Sequence, residues 1–216
     1  MCSTDHKFAV LGQHSLGLKI NGGLSRISNN IAPANSIEIP RFTLSGQAGF
    51  FYSLQFRSKS VLGVELLFNQ IEGKEKFEFD FTDENGNNAG YATGATYRHI
   101  SYLSLPIYYG FKLNNLLVNI GFQTSLLLAS NSQLKGLATT NNEVIKMDNK
   151  FELPVDNYDF GPRLGVSFQL NDMFAIESTY YYGMKNIIEN SNPLLVWRVQ
   201  QVTLGLRYMF QTNTKK

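Results

Sequence analysis

The chain has 216 residues and a formal net charge of +2, with 17% charged and 13% aromatic residues. A charge this small argues against nucleic-acid recognition, and abundant aromatics at low net charge exclude a disordered chain. No apolar run reaches the ~20 residues of a membrane-spanning helix, which leaves strands as the only route into a bilayer.

The opening MCSTDHKFAV has no basic segment followed by a long apolar stretch, so an export signal, if there is one, lies outside this sequence. Cys2 is the single cysteine, which excludes a disulfide framework and a cysteine metal site. Lipidation of Cys2 needs an upstream signal; the alternative is a free thiol. Residues 1–14 read as an N-terminal extension, 15–210 as a β-barrel domain and 211–216 as a polar tail.

From there the dominant period is two, the period of a strand with one apolar and one polar face. A short first segment sets Leu16, Leu18 and Ile20 against Gly17, Lys19 and Asn21. A second, from Phe42 to Phe56, sets Phe42, Leu44, Ala48, Phe50, Tyr52 and Leu54 against Thr43, Ser45, Gln47, Ser53 and Gln55. Leu62, Val64, Leu66 and Phe68 oppose Gly63, Glu65 and Asn69 in a third, and Leu103, Leu105, Ile107, Tyr109 and Phe111 oppose Ser104, Tyr108 and Lys112 in a fourth. Val118–Leu126, Tyr158–Leu170, Phe174–Tyr182 and Gln201–Phe210 repeat the pattern. These make eight strands.

Their connections alternate. Arg57–Ser60, Asn114–Asn115 and Asn171–Met173 are short polar turns, whereas Asn29–Arg41, Glu72–His99, Asn131–Asp156 and Met184–Leu195 read as long polar loops. All short turns then fall at one end and all long loops at the other. That layout predicts an all-β fold: an eight-stranded antiparallel up-and-down transmembrane β-barrel in the outer membrane of a Gram-negative bacterium. Alternating Phe77, Phe79 and Phe81 predict a hairpin that extends beyond the membrane.

A soluble lipocalin-like carrier of a small ligand would also alternate, but with its apolar face inward. Here the polar face is rich in glycine and sparsely charged, which suits a narrow interior better than water. Large apolar side chains flanked by aromatics on the other face suit lipid, with outer-membrane lipids as partners. The interior then holds a polar cluster of structural character: Lys19, Glu65, Lys112, Arg163, Glu177 and Arg207. Opposite charges confined together are expected to pair and close the lumen, with Phe51, Tyr108 and Tyr181 adding bulk at other levels.

The segments YLSLPIYYGFKL (Tyr102–Leu113), DFGPRLGVSFQL (Asp159–Leu170) and VTLGLRYMF (Val202–Phe210) resemble the PorT-like outer-membrane barrel proteins of Bacteroidota. The resemblance runs from about Ser15 to Phe210. It implies an eight-stranded outer-membrane barrel; some members of that family support protein secretion, and most have no assigned activity. The last strand ends in Phe210, similar to the terminal aromatic signal of barrel assembly, although QTNTKK follows it.

Chemistry is sparse. His6, His14 and His99 have no metal-ligand spacing, no cofactor motif is present, and Asp83–Asn87 lacks the spacing of a calcium loop. His99 and Ser101 share the parity of the lipid-facing Leu103, similar to the catalytic pair of outer-membrane lipid A deacylases. A nucleophilic serine there also needs an acid to orient the base, for which Glu72 and Glu75 are candidates. The expected function is that of a non-enzymatic membrane anchor or interaction module, meeting a protein partner at the long extracellular loops or the periplasmic turns. A soluble ligand carrier and an outer-membrane lipid-modifying enzyme are the alternatives.

Overall fold

The computed structural model describes residues 13–29, 39–56, 59–82, 88–140, 143–188 and 196–210. Cys2, His6, Arg57, the Asp83–Asn87 tip, parts of the expected loops at 30–38 and 189–195, and the tail 211–216 lie outside the described residues.

Ten strands form one antiparallel sheet: β1 (Gln13–Asn29), β2 (Ile39–Arg41), β3 (Thr43–Gln55), β4 (Ser60–Thr82), β5 (Asn88–Leu113), β6 (Leu116–Thr140), β7 (Val144–Phe151), β8 (Tyr158–Gln169), β9 (Phe174–Tyr182) and β10 (Trp197–Met209). Eight close a ring in the order β1-β3-β4-β5-β6-β8-β9-β10, and β10 returns to β1 from Gly17↔Met209 to Asn29↔Trp197. Closure removes the unpaired sheet edges that lipid does not tolerate. The two short strands stand outside the ring, β2 on β4 and β7 on β6.

Local chemistry sets the tight turns. Asn114 takes the left-handed conformation (φ 53°) between Leu113 and Leu116, which pair directly. Lys59 does the same (φ 67°), and the amide of Phe56 donates to the Ser60 carbonyl at 2.8 Å. In the third turn the Asn171 side-chain oxygen accepts from the amides of Met173 and Phe174, both at 2.9 Å, an Asx turn.

The long-loop end differs from the sequence reading. The expected connections Glu72–His99 and Asn131–Asp156 are largely strand: β4 and β5 stay paired to Thr82↔Asn88, β5 and β6 to Gly90↔Thr140, and β7 adds to β6. With 23, 26 and 25 residues, β4, β5 and β6 far exceed the ~9–11 residues needed to cross the hydrocarbon. The surplus projects past the barrel as a twisted sheet flanked by β2 and β7. Water wets both of its faces, so its polar residues interrupt the alternation and imitate a loop.

Parity holds across the lipid zone. Odd positions of β1 and β4 and even positions of β5 are buried, while the outward positions stay open, Ile20 at 65% and Leu44 at 75% exposure. A soluble carrier requires the reverse orientation, and that alternative falls. One bulge resets the pattern: Ser101 pairs with Ala129 and Tyr102 with Leu127, so Leu128 has no opposite residue. Inward positions on β6 are odd before it (Gln123, Ser125) and even after it (Ser132).

Candidate functional site: a filled lumen and a polar outer wall

Three layers of side chains fill the lumen. Nearest the short turns, an ionic layer gathers five of the six charged residues expected inside. Lys19 pairs with Glu65 at 2.9 Å and with Glu177. Arg163 lies 3.1 Å from Glu65, and Arg207 lies 3.2 Å from Glu177. All five are buried. Arg207 also donates to the Tyr108 hydroxyl at 3.0 Å and lies 3.9 Å from the Phe51 ring centroid. Lys112 stands apart at the short-turn mouth, half-buried, and donates to Gln169 at 2.8 Å.

Small residues make this layer fit. Gly63 is paired with Tyr108, and a Cβ there would come within 2.1 Å of the Tyr108 ring. Gly17 leaves room for Phe51 in the same way. At these two positions glycine is the complement of a large inward aromatic, whereas Gly165 and Gly205 make room for the side chains of Asn119 and Asn21.

Above it lies a neutral layer. Gln47 donates to Gln201 at 2.7 Å and Gln201 to Asn69 at 3.0 Å, while Thr179 and Thr203 share a 2.7 Å bond and Ser104 and Ser125 one of 2.8 Å. These residues have the parity of the charges, which is their only signal in the sequence. Asn21 joins the two layers by donating to Glu177 at 3.1 Å.

An apolar cap closes the long-loop end. Ile27, Ile71, Ile100, Trp197 and Val199 from the strands surround Leu153, Val155 and Ile187, which come from irregular chain. Val155 and Ile188 form an isolated bridge, and the Asp156 amide donates to the Ile187 carbonyl at 2.8 Å, so the two segments lie against each other inside the mouth. Tyr181 borders the cap and donates to Asp159 at 2.8 Å. The Arg98 guanidinium lies 4.0 Å from the Trp197 ring centroid and forms an ion pair with Glu75 at 2.5 Å. Sequence reading missed this cap because its central residues sit in non-periodic segments.

Two features mark the outer wall. His99 and Glu72 face each other across β5 and β4, with His99 Nδ1 3.3 Å from Glu72 Oε1. Ser101 is two positions along on the same face and shares no hydrogen bond with His99. Higher up, Arg41, Lys74, Lys76 and Lys135 line a groove of about 650 Å³ with Tyr97 and Thr93. Among the described residues no cluster of His, Cys, Asp and Glu is arranged to hold a metal.

The model of a family described as outer membrane protein beta-barrel domain matches residues 7–189. No curated protein matches the chain at a significant level. Among solved structures, Neisserial surface protein A is similar at 10% identity and a TM-score of 0.48, over 92% of this chain and 99% of that one. OprG of Pseudomonas aeruginosa is similar at 11% and 0.43, over 93% and 99%. Ail, the attachment invasion locus protein of Yersinia pestis, solved with the heparin analogue sucrose octasulfate, is similar at 12% and 0.42, over 92% and 99%. With the family model matched over most of its length and its apolar wall turned outward, the chain belongs to the outer membrane protein β-barrel domain family and resides in the outer membrane.

Proposed function

We propose that the protein is a non-enzymatic, non-conducting anchor that presents its projecting sheet to a protein partner. The observation that carries this reading is the contrast between a lumen filled at three levels and a sheet that extends β4, β5 and β6 well past the barrel. Length and polarity are spent outside the membrane, where a partner has access. The resemblance to PorT-like barrels supports a finer version, in which the anchored partner belongs to a protein-secretion apparatus. Because Glu75 and Thr96 are paired, residues 76–95 can be replaced by an Asn-Gly turn without disturbing the barrel. The shortened protein is expected to stay folded and heat-modifiable in gels while losing the proteins crosslinked to it in native membranes. Retention of the same crosslinked set would contradict the reading.

The His99–Glu72 contact favours a second reading, a lipid-ester hydrolase. Ser101 Oγ would attack an ester carbonyl as His99 takes its proton and Glu72 orients the imidazole. The ester C–O bond breaks, the sugar hydroxyl leaves with the proton from His99, and water then hydrolyses the acyl-enzyme and frees the fatty acid. The missing Ser101–His99 hydrogen bond places this reading second. It predicts that Ser101→Ala abolishes release of fatty acid from lipid A; the leading reading predicts no release from either protein.

A further inference from the structure

The outer wall is electrically asymmetric. At the long-loop end each of four outward cations rests on an aromatic side chain. Arg26 lies 5.0 Å from the Phe42 ring centroid, Lys74 4.7 Å from Tyr97 and Lys185 3.2 Å from Tyr158, and Arg198 donates to the Tyr182 hydroxyl at 3.2 Å. Lys185 also pairs with Asp156 at 3.0 Å; burial tends to lower its pKa, but hydrogen bonds to Asp156 and Tyr158 raise it above the ordinary lysine value. At the short-turn end, among the described residues, the outward strand positions carry no lysine or arginine; Lys59 lies in a turn and Lys112 faces the mouth.

The groove concentrates this charge. Arg41 pairs with Lys74 across β2 and β4, Lys76 follows on the same face, and Lys135 approaches from β6. Ala95, paired with both Lys76 and Lys135, keeps the floor between these cations low. Glu78 is the acidic residue of the lining, and Asp148 beside Lys135 already accepts from Gln133 at 2.8 Å. A volume of about 650 Å³ falls within the range of small-ligand sites.

Height identifies the ligand. On β4 the outward positions run Phe68, Gln70, Glu72, Lys74, Lys76, so apolar contact stops before Gln70. Lys74 is four residues further, which is roughly 10 Å of height for a strand tilted by about 40°. A phospholipid headgroup layer is only ~5–8 Å thick on each side, whereas a headgroup built of phosphorylated sugars reaches that level. We propose that Arg41, Lys74, Lys76 and Lys135 bind phosphate groups on the sugar headgroup of a glycolipid in the leaflet at the long-loop end, with the lower cations holding its inner phosphates.

The test uses the full folded chain in neutral detergent and a fluorescent rough lipopolysaccharide, intact or stripped of phosphate by phosphatase. Intact lipopolysaccharide should bind at least about tenfold more tightly than the stripped preparation. The variant K74Q/K76Q/K135Q should lose at least about tenfold for the intact lipid and nothing for the stripped one. Folding of the variant is read from heat-modifiable gel mobility. Should it not fold, the unmodified protein still decides, because its binding must weaken several-fold between about 50 and 500 mM salt. Equal binding of intact and stripped lipid, or salt-insensitive binding, overturns the proposal. So does displacement of the lipid by inorganic phosphate or a heparin oligosaccharide at equal concentration, which would make the site one for a soluble anion.

Discussion

Glu177 faces Lys19, Arg163 and Arg207 at once, the last two at 3.7 and 3.2 Å, with Asn21 donating to it as well. Removing its charge leaves three buried cations to the single carboxylate of Glu65. Unpairing a buried ion typically costs about 3–5 kcal/mol. Glu177→Gln should therefore lower stability by that order, measured by urea unfolding in lipid vesicles, and should open no channel. Glu177 and Arg207 are legible in the sequence as inward charges, because period-two parity assigns their face. The pairing of Glu177 with Arg207, on the neighbouring strands β9 and β10, was legible too. The pairs that cross the ring, Lys19–Glu65 from β1 to β4 and Arg163–Glu65 from β8 to β4, were not, because parity carries no information about partners on non-adjacent strands. Lys112 shows the limit, since its parity is inward yet its distance from the turn leaves it at the mouth with Gln169. Gly63 offers a complementary test. Gly63→Leu places side-chain atoms in the space of the Tyr108 ring and should reduce the folded fraction seen by gel mobility, whereas Gly22→Leu, where a Cβ meets nothing within 4 Å, should not.

At the scale of elements, the short strands and the tight turns were readable because burial on one face and lipid or water on the other impose alternation. The projecting parts of β4, β5 and β6 and the whole of β7 were not, since a strand wetted on both faces needs no alternation. The alternating Phe77 and Phe79 were the exception that pointed to paired strand beyond the membrane. The bulge at Leu128 is likewise invisible in composition, yet it decides the face of every later residue in β6. This gives a labelling prediction with cysteine substitutions. With Cys2 replaced by serine, Asn131→Cys, exposed, should react with a water-soluble maleimide, and Ser132→Cys, buried, should not. Deleting Leu128 removes the extra residue and keeps Asn131 opposite His99 and Ser132 opposite Arg98, so both reactivities should stay as they are; their exchange would mean that the strand had slipped in register instead.

For the molecule as a whole, eight strands enclose an interior that side chains can fill, and this chain fills it with an ionic layer, an amide and hydroxyl layer and an apolar cap. The two polar layers follow from inward parity. The cap depends on Leu153, Val155 and Ile187 folding back from irregular chain into the mouth, which only the three-dimensional arrangement reveals. The claim that the protein works outside its lumen rests on all three layers together. Planar-bilayer recording of the purified, folded barrel tests it most directly. The account predicts no steady conductance across the physiological voltage range, for the parent and for Glu177→Gln alike. A steady conductance on the order of a nanosiemens from the folded parent, as expected of a water-filled passage through a barrel, would contradict it.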